Sequence, residues 1–234
     1  MSKIRIYLEN QIIKDEKILM EKKTIHYLKN VMRRKNGDKI IMFNGDEEWE
    51  GIFKIERNCF LKPTKLIRKK KQISDIWVCF GLVKNRNIDI LVEKVTEIGI
   101  TKIVPIITDF SNKKNIRADR LKKISLEASE QSNSINIPFV EEVTEIKSLL
   151  KNWDKKRLIC FCDEKGGKPI LDIAPILKSY RKIAIFIGPV GGWSEADRKL
   201  FDSLQVFRAE LGDNILKADT AAVYSLSCLK ALLR

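Results

Sequence analysis

The segment Ile183–Glu195, IAIFIGPVGGWSE, constrains the fold more than any other stretch of the chain. The run Ile183, Ala184, Ile185, Phe186, Ile187 is apolar without interruption, as in a strand buried on both faces of a sheet. It stops at Gly188-Pro189-Val190-Gly191-Gly192. Ser194-Glu195-Ala196-Asp197 then reads as a helix start, with Ser194 as N-cap and an acidic first turn. A buried strand therefore empties into a glycine-rich loop that feeds a helix. In an α/β domain a small ligand sits at such a place, outside the carboxyl end of a strand. The glycines permit positive φ and close approach of the backbone. The spacing G-P-V-G-G is neither a P-loop nor a dinucleotide fingerprint, so the loop alone fits a ligand site and a plain tight turn alike.

The rest of the chain supplies the context. In the N-terminal part, Ile4–Tyr7, Lys39–Phe43, Trp49–Glu56 and Cys59–Leu66 read as strands, and Asn44-Gly45 is a hairpin signal. Ile25, Leu28, Val31 and Met32 fall at helical spacing. Short strands, one helix and tight turns suggest a small barrel over residues 1–70. The basic stretch Ile67–Gln72 is the expected boundary. Beyond it, residues 73–234 alternate β and α. Strands are expected at Ile76–Leu82, Lys102–Thr108, Arg157–Cys162, Ile183–Ile187 and Gln205–Glu210. Helices are expected at Ile88–Ile98 (closed by Gly99), Ala118–Ser132, Ile170–Lys178, Ser194–Ser203 and Ala221–Leu233. Five strands interleaved with helices imply a mostly parallel sheet covered on both faces.

The 234 residues suffice for one large domain or two small ones. No apolar run reaches transmembrane length. The N-terminal MSKIRIYLENQIIKD has no long apolar core and no small-residue cleavage site, so a cytoplasmic location is expected. The five cysteines include no CxxC, and the single histidine, His26, leaves few partners for a zinc cage. Cys160 and Cys162 share one face of a strand and read as core, so no metal is expected. The net charge of +14 points to a polyanionic partner, although an AT-rich genome also inflates lysine. The charge is concentrated in Lys29–Lys35, Lys62–Lys71 and Lys113–Lys123, which favours nucleic acid.

A second loop of the same type follows Val206–Glu210. It reads Leu211-Gly212-Asp213-Asn214-Ile215-Leu216-Lys217-Ala218-Asp219-Thr220-Ala221, with Asp219 or Thr220 as a cap for the helix after it. Ile215 and Leu216 suit either the flanks of an aromatic base or a plug in the core. Two such loops after successive strands suggest one shared site.

The pattern strand–IGPxGG–helix followed by LG-x-x-IL-x-x-x-TA–helix resembles the S-adenosylmethionine site of the SPOUT (trefoil-knotted) RNA methyltransferases. The chain is most similar to their RsmE group, which methylates N3 of a uridine in small-subunit (16S) ribosomal RNA. The resemblance runs through HYLKNVMR (His26–Arg33), Gly37-Asp38, Phe43-Asn44-Gly45…Trp49, EKVTEIGI (Glu93–Ile100) and EASEQS (Glu127–Ser132), and it covers nearly the whole chain.

The resemblance implies a PUA-like RNA-binding β-barrel followed by a knotted α/β domain that carries the cofactor and forms a homodimer on ribosomal RNA. By the same match, Ile187, Gly188, Pro189, Gly191 and Gly192 hold the cofactor from one side, and Leu211, Gly212, Ile215 and Leu216 from the other. Ala218, Thr220 and Ala221 close the pocket near the methionine end. Arg33, Arg34, Lys69, Lys70 and Lys217 are the expected RNA contacts. His26 suits either an RNA contact or a partly buried structural hydrogen bond, and Trp193 suits either base stacking or packing. No residue is assigned as the catalytic base. The chain departs from the group at Val190, where Glu is usual, at Asn214, at Lys217 in place of Arg, and at Asp219 in place of Glu. The alternative to a methyltransferase is therefore an RNA-binding or ribosome-assembly protein with weakened catalysis on the same fold.

Overall fold

A computed structural model describes residues 4–111 and 116–232. Lys113 and Lys114 of the third basic run, and Leu233 of the last expected helix, lie outside the described residues. Contacts divide the chain into two units, Met1–Gln72 with Ser129–Asn136, and Ile73–Ala128 with Ile137–Arg234.

The first unit contains β1 (Arg5–Tyr7), β2 (Ile18–Leu19), α1 (Lys22–His26), β3 (Lys39–Phe43), β4 (Glu47–Ile55) and β5 (Cys59–Lys69). They form one sheet in the order β1-β3-β4-β5-β2. The β1–β3 pair is parallel and the others are antiparallel. Ile4, Ile6, Ile40, Met42, Phe53 and Leu61 alternate inward and meet Leu28 in the core. Asn44 Oδ1 accepts from the backbone N–H of Asp46 and Glu47 and so closes the expected hairpin. At Gly51 a Cβ would lie 2.2 Å from the Met42 side chain and 2.5 Å from the Lys62 carbonyl, so β4 and β5 can approach only with glycine there. β5 runs on to Lys69, three residues beyond the expected end, because Lys69 pairs with Glu47 in register and through a 3.1 Å ion pair. After His26 the helix widens into a π-turn, Tyr27–Val31, with Met32 N–H donating to the Tyr27 carbonyl. The extra residue rotates Val31 out to solvent, so of the expected apolar stripe only Leu28 is fully buried.

Arg5 is the buried cation of this unit. Its guanidinium bonds Glu48 and donates to the carbonyls of Ser129, Glu130 and Ser134. Burial pushes the Glu48 carboxyl up, but Arg68 and Arg5 outweigh it and hold it below the usual carboxylate range.

The second unit contains β6 (Asp75–Gly81), α2 (Asn85–Ile98), β7 (Lys102–Ile107), α3 (Ala118–Gln131, whose last turn belongs to the first unit), β8 (Phe139–Val140), β9 (Thr144–Glu145) and α4 (Ile146–Lys151). It continues with β10 (Leu158–Cys162), β11 (Lys168–Pro169), α5 (Ile170–Leu177), β12 (Lys182–Ile187), α6 (Glu195–Lys199), β13 (Val206–Glu210) and α7 (Ala218–Leu232). The sheet has the order β11-β13-β10-β12-β6-β7-β8, with β9 also on β7. Its pairings are parallel throughout. On β12, Ile183, Ile185 and Ile187 enter the core beneath α2, α5 and α7, while Ala184 and Phe186 enter a second, aromatic core with Phe161, Trp193 and Phe201.

The sheet has eight strands among the described residues rather than the expected five. The added β8, β9 and β11 have two residues each, too few for any period to register. α6 ends at Lys199 rather than Ser203, because bonds from Leu200 to Asp197 and from Phe201 to Arg198 tighten the chain and carry Phe201 into the aromatic core. α7 begins at Ala218, with Ala221 N–H bonded to the Lys217 carbonyl, so Asp219 and Thr220 lie in its first turn and do not cap it. From β13 the chain returns past β10 and β12 to α7, which packs on α2, α5 and β12.

Candidate functional site

The strand order brings three loops together. β10 lies between β12 and β13, so the loop after β10 is flanked by the two glycine-bearing loops. A cavity of about 420 Å³ opens over these three strand ends, within the usual range for small-molecule sites.

The first wall is the β12 loop. Gly192 N–H donates to the Pro189 carbonyl at 2.9 Å and closes a tight turn. Pro189 packs on the end of β6, where a Cβ on Gly81 would lie 2.6 Å from its ring. Ser194 then caps α6 as expected: its Oγ accepts from Asp197 N–H at 2.9 Å, and the Asp197 carboxylate accepts from Ser194 N–H at 3.3 Å. Ser194 Oγ also donates to Asp109, which ties the loop after β7 to this cap.

The second wall is the β13 loop. Leu211 and Leu216 are half-buried against the main core, whereas Ile215 is 85% exposed and still lines the cavity. Of the two roles open to this pair, Leu216 and Ile215 therefore divide them: one seats the loop and the other offers an apolar surface to the cavity. Ala218 and Ala221, both buried, form the floor from the first turn of α7.

All the residues expected around the cofactor line this one cavity except Thr220, which is exposed on α7 and faces elsewhere. The expected RNA contacts fall in both units. Lys217 is exposed on the cavity wall. Arg33, Arg34, Lys69 and Lys70 belong to the first unit. Arg33 is exposed with φ 50°, Arg34 lies 3.9 Å from Asp38, Lys69 pairs with Glu47, and Lys70 is exposed. His26 is exposed, which removes the buried structural role. Trp193 is 2% exposed, donates through Nε1 to the Cys162 carbonyl at 2.9 Å, and packs on Phe161 and Phe201. It is a packing residue and presents no face to a base.

The sequence reading missed the third wall, Cys162-Asp163-Glu164 at the end of β10. Asp163 is buried and accepts from Arg198 Nη2 and Arg208 Nη1, both at 2.8 Å, and from Lys165 N–H at 3.1 Å. Burial pushes its carboxyl up, but these donors outweigh burial and hold it below the ordinary aspartate value. Glu164 Oε1 accepts from Trp193 N–H at 3.1 Å and from Arg198 Nη2 at 2.6 Å. Arg198 Nη1 donates to the Trp193 carbonyl. One buried guanidinium thus ties the end of β10 to the glycine loop of β12. An acidic pair directly after a buried strand was the available signal. Cys162 adds a thiol to the wall; its hydrogen bond with Cys160, together with burial, holds it well above the thiol range, so it stays protonated at neutral pH.

Comparison with known proteins agrees with this architecture. A family model for the RNA methyltransferase domain matches residues 69–230, and one for the RNA methyltransferase PUA domain matches residues 21–60. The chain is 31% identical over 236 residues to ribosomal RNA small subunit methyltransferase E of Rickettsia conorii, covering 97% of this chain and 95% of that one. It is 32% identical over 240 residues to ribosomal RNA small subunit methyltransferase E 2 of Borreliella burgdorferi, covering 95% and 97%. The crystal structure of the Neisseria gonorrhoeae ribosomal RNA small subunit methyltransferase E bound to S-adenosyl methionine superposes with a TM-score of 0.87 at 20% identity, covering 99% and 98%. A Legionella pneumophila structure in complex with the bound cofactor SAM matches equally, with a TM-score of 0.87 at 20% identity over 99% and 98% of the chains. With a PUA-like barrel ahead of an α/β-knot domain, the chain belongs to the ribosomal RNA small subunit methyltransferase E family.

Proposed function

We propose that this protein transfers the methyl group of S-adenosylmethionine to N3 of a uridine in small-subunit ribosomal RNA. The observation that carries the reading is the cavity walled by the β12 and β13 loops, in a chain whose family and fold are those of small-subunit ribosomal RNA methyltransferases. The chemistry of the lining fits the cofactor. Ile187, Leu211, Ile215 and Leu216 offer apolar surface for adenine, and the loop backbone of Gly188–Gly192 and Leu211–Gly212 offers polar groups at close range because no Cβ intervenes at the glycines. Ala218 and Ala221 leave room at the floor. When bound, S-adenosylmethionine supplies an electrophilic methyl group on a sulfonium.

The protein's part is alignment and charge. An in-line displacement requires the acceptor nitrogen to be held on the axis of the breaking bond, and fixed loops supply that order in advance. Uridine N3 carries a proton at neutral pH, and that proton must leave as the N–C bond forms. Lys217, the one cationic side chain among the lining residues, would favour the N3 anion over the neutral base. The target uridine must be unpaired, since N3 is engaged in a helical stem. Arg33, Arg34, Lys69 and Lys70 would hold phosphates of the same transcript. The family resemblance extends the proposal to a homodimer working in the cytoplasm.

Val190, 70% exposed where the group usually has Glu, favours the second reading, an RNA-binding assembly protein with weakened catalysis. Two measurements separate them. Mass spectrometry of small-subunit ribosomal RNA is expected to show one methyluridine in the parent strain that the deletion strain lacks. Calorimetry is expected to show S-adenosylmethionine binding to the purified chain. Identical methylation in both strains, with no heat of donor binding, removes the enzyme.

A further inference from the structure

The four carboxylates on the cavity wall are not equivalent. Asp163 is saturated by Arg198, Arg208 and the Lys165 N–H. The carboxylates of Glu210 and Asp213 make no side-chain hydrogen bond or ion pair among the described residues. Glu164 is different. Its Oε1 is fixed by the Trp193 N–H and by Arg198, while its Oε2 has no partner among the described residues. The side chain is 30% exposed, and the residue lines the cavity. A Cβ on Gly192 would lie 2.2 Å from Oε1, so the carboxylate sits close against the glycine loop, where its hydrogen bonds from Trp193 N–H and Arg198 hold it.

We propose that Glu164 is the group that reads the ribose of the cofactor, with Oε2 accepting from the vicinal hydroxyls. The proposal rests on the reading that the cavity takes S-adenosylmethionine. Two physical arguments select a hydroxyl over the cationic parts of that molecule. First, Arg198 Nη2 lies 2.6 Å from Glu164 Oε1 and compensates part of the carboxylate charge, so Oε2 is presented chiefly as a hydrogen-bond acceptor. Second, an acceptor locked before the ligand arrives loses no rotamer freedom on binding, and a carboxylate at the end of a parallel strand reads ribose hydroxyls in the same way in dinucleotide-binding folds.

The test uses S-adenosylhomocysteine and its 2′-deoxy and 3′-deoxy analogues, titrated into the full chain and into Glu164→Gln. The amide oxygen of Gln can still accept from Trp193 N–H, but its NH2 cannot accept from a hydroxyl and can only donate to it, a neutral bond in place of the charge-assisted one. In the wild type, loss of a hydroxyl held by the carboxylate is expected to weaken binding about tenfold to a hundredfold for at least one analogue. In E164Q that gap is expected to shrink to about threefold or less. A merely structural brace would lower affinity for all three ligands alike and leave the gap intact, and that result overturns the proposal. Equal affinity of the wild type for all three ligands overturns it without any variant, which keeps the question decidable if E164Q does not fold. A wild type that binds none of the three overturns the cofactor reading itself, and the ribose assignment with it.

Discussion

Gly192→Ala is expected to lower S-adenosylmethionine affinity by at least tenfold and to destabilise the second unit by roughly 2–4 kcal/mol. Two effects add. Gly192 sits at φ +71°, a left-handed conformation that costs an L-residue on the order of 1–2 kcal/mol. A Cβ there also meets Glu164 Oε1 at 2.2 Å, and that oxygen is held by Trp193 N–H and Arg198. Either the glycine loop lifts from the cavity or the carboxylate breaks its two hydrogen bonds. Gly212→Ala is the control. Gly212 lines the same cavity at φ +113°, but a Cβ there meets nothing within 4 Å. It should carry the conformational cost alone, about 1–2 kcal/mol, without the clash. Thermal unfolding and titration of both variants check the contrast. Equal losses at the two glycines would mean that the Glu164 contact does not shape the loop.

That contrast also shows what could be read from sequence. Ile183–Glu195 carried its own structure: an unbroken apolar run, then glycines, then a Ser194 cap with Asp197 three residues on, which the structure forms as a reciprocal pair. Hydrophobic runs as long as those of β6, β10 and β12 are legible because both faces of a parallel strand are buried. What the chain order hid was adjacency. The loops after β12 and β13 looked like neighbours because the strands follow one another in sequence, yet β10 separates them in the sheet. The loop after β10 is therefore part of the site, and Asp163 and Glu164 went unnoticed behind two cysteines read as core. Trp193 was ambiguous for a related reason: an aromatic after a glycine loop can face either way. The aromatic cluster of Phe161, Phe186 and Phe201, assembled from three separate segments, decides the direction. The helix in the barrel failed on a different count. A π-turn inserts one residue into a period of 3.6 and turns Val31 off the core, while Met32 still packs on it, which no periodicity count anticipates.

Arg198→Ala is expected to be the most damaging single substitution of a charged residue in the second unit, at roughly 3–5 kcal/mol. Arg198 and Asp163 have side chains only 8% and 3% exposed. Removing the guanidinium leaves Asp163 buried with only Arg208 and the Lys165 N–H, takes one of the two donors from Glu164 Oε1, and removes the Arg198 bond to the Trp193 carbonyl. Arg208→Ala removes a partner that is 38% exposed and reached by solvent, and it should cost about 1 kcal/mol or less. The pH dependence has a definite sign. The native Asp163 carboxyl lies below its unfolded value, because its arginine and backbone donors outweigh burial. Its contribution to stability is therefore complete above the unfolded aspartate value near 4, and it is lost as the pH falls from there through the native value. Without Arg198, burial acts on Asp163 with less opposition, so the native carboxyl takes up its proton at higher pH. The stability difference between the wild type and R198A should accordingly be largest at neutral pH and narrow on acidification below about pH 4–5. Denaturant unfolding of both proteins across pH 3–7 checks this. A gap independent of pH would show that the damage comes from lost packing and not from the stranded carboxylate. Because the same guanidinium fixes the Glu164 oxygen and the glycine loop, R198A should also lose donor affinity under conditions where it remains folded, which links the stability of the ion cluster to the shape of the cavity.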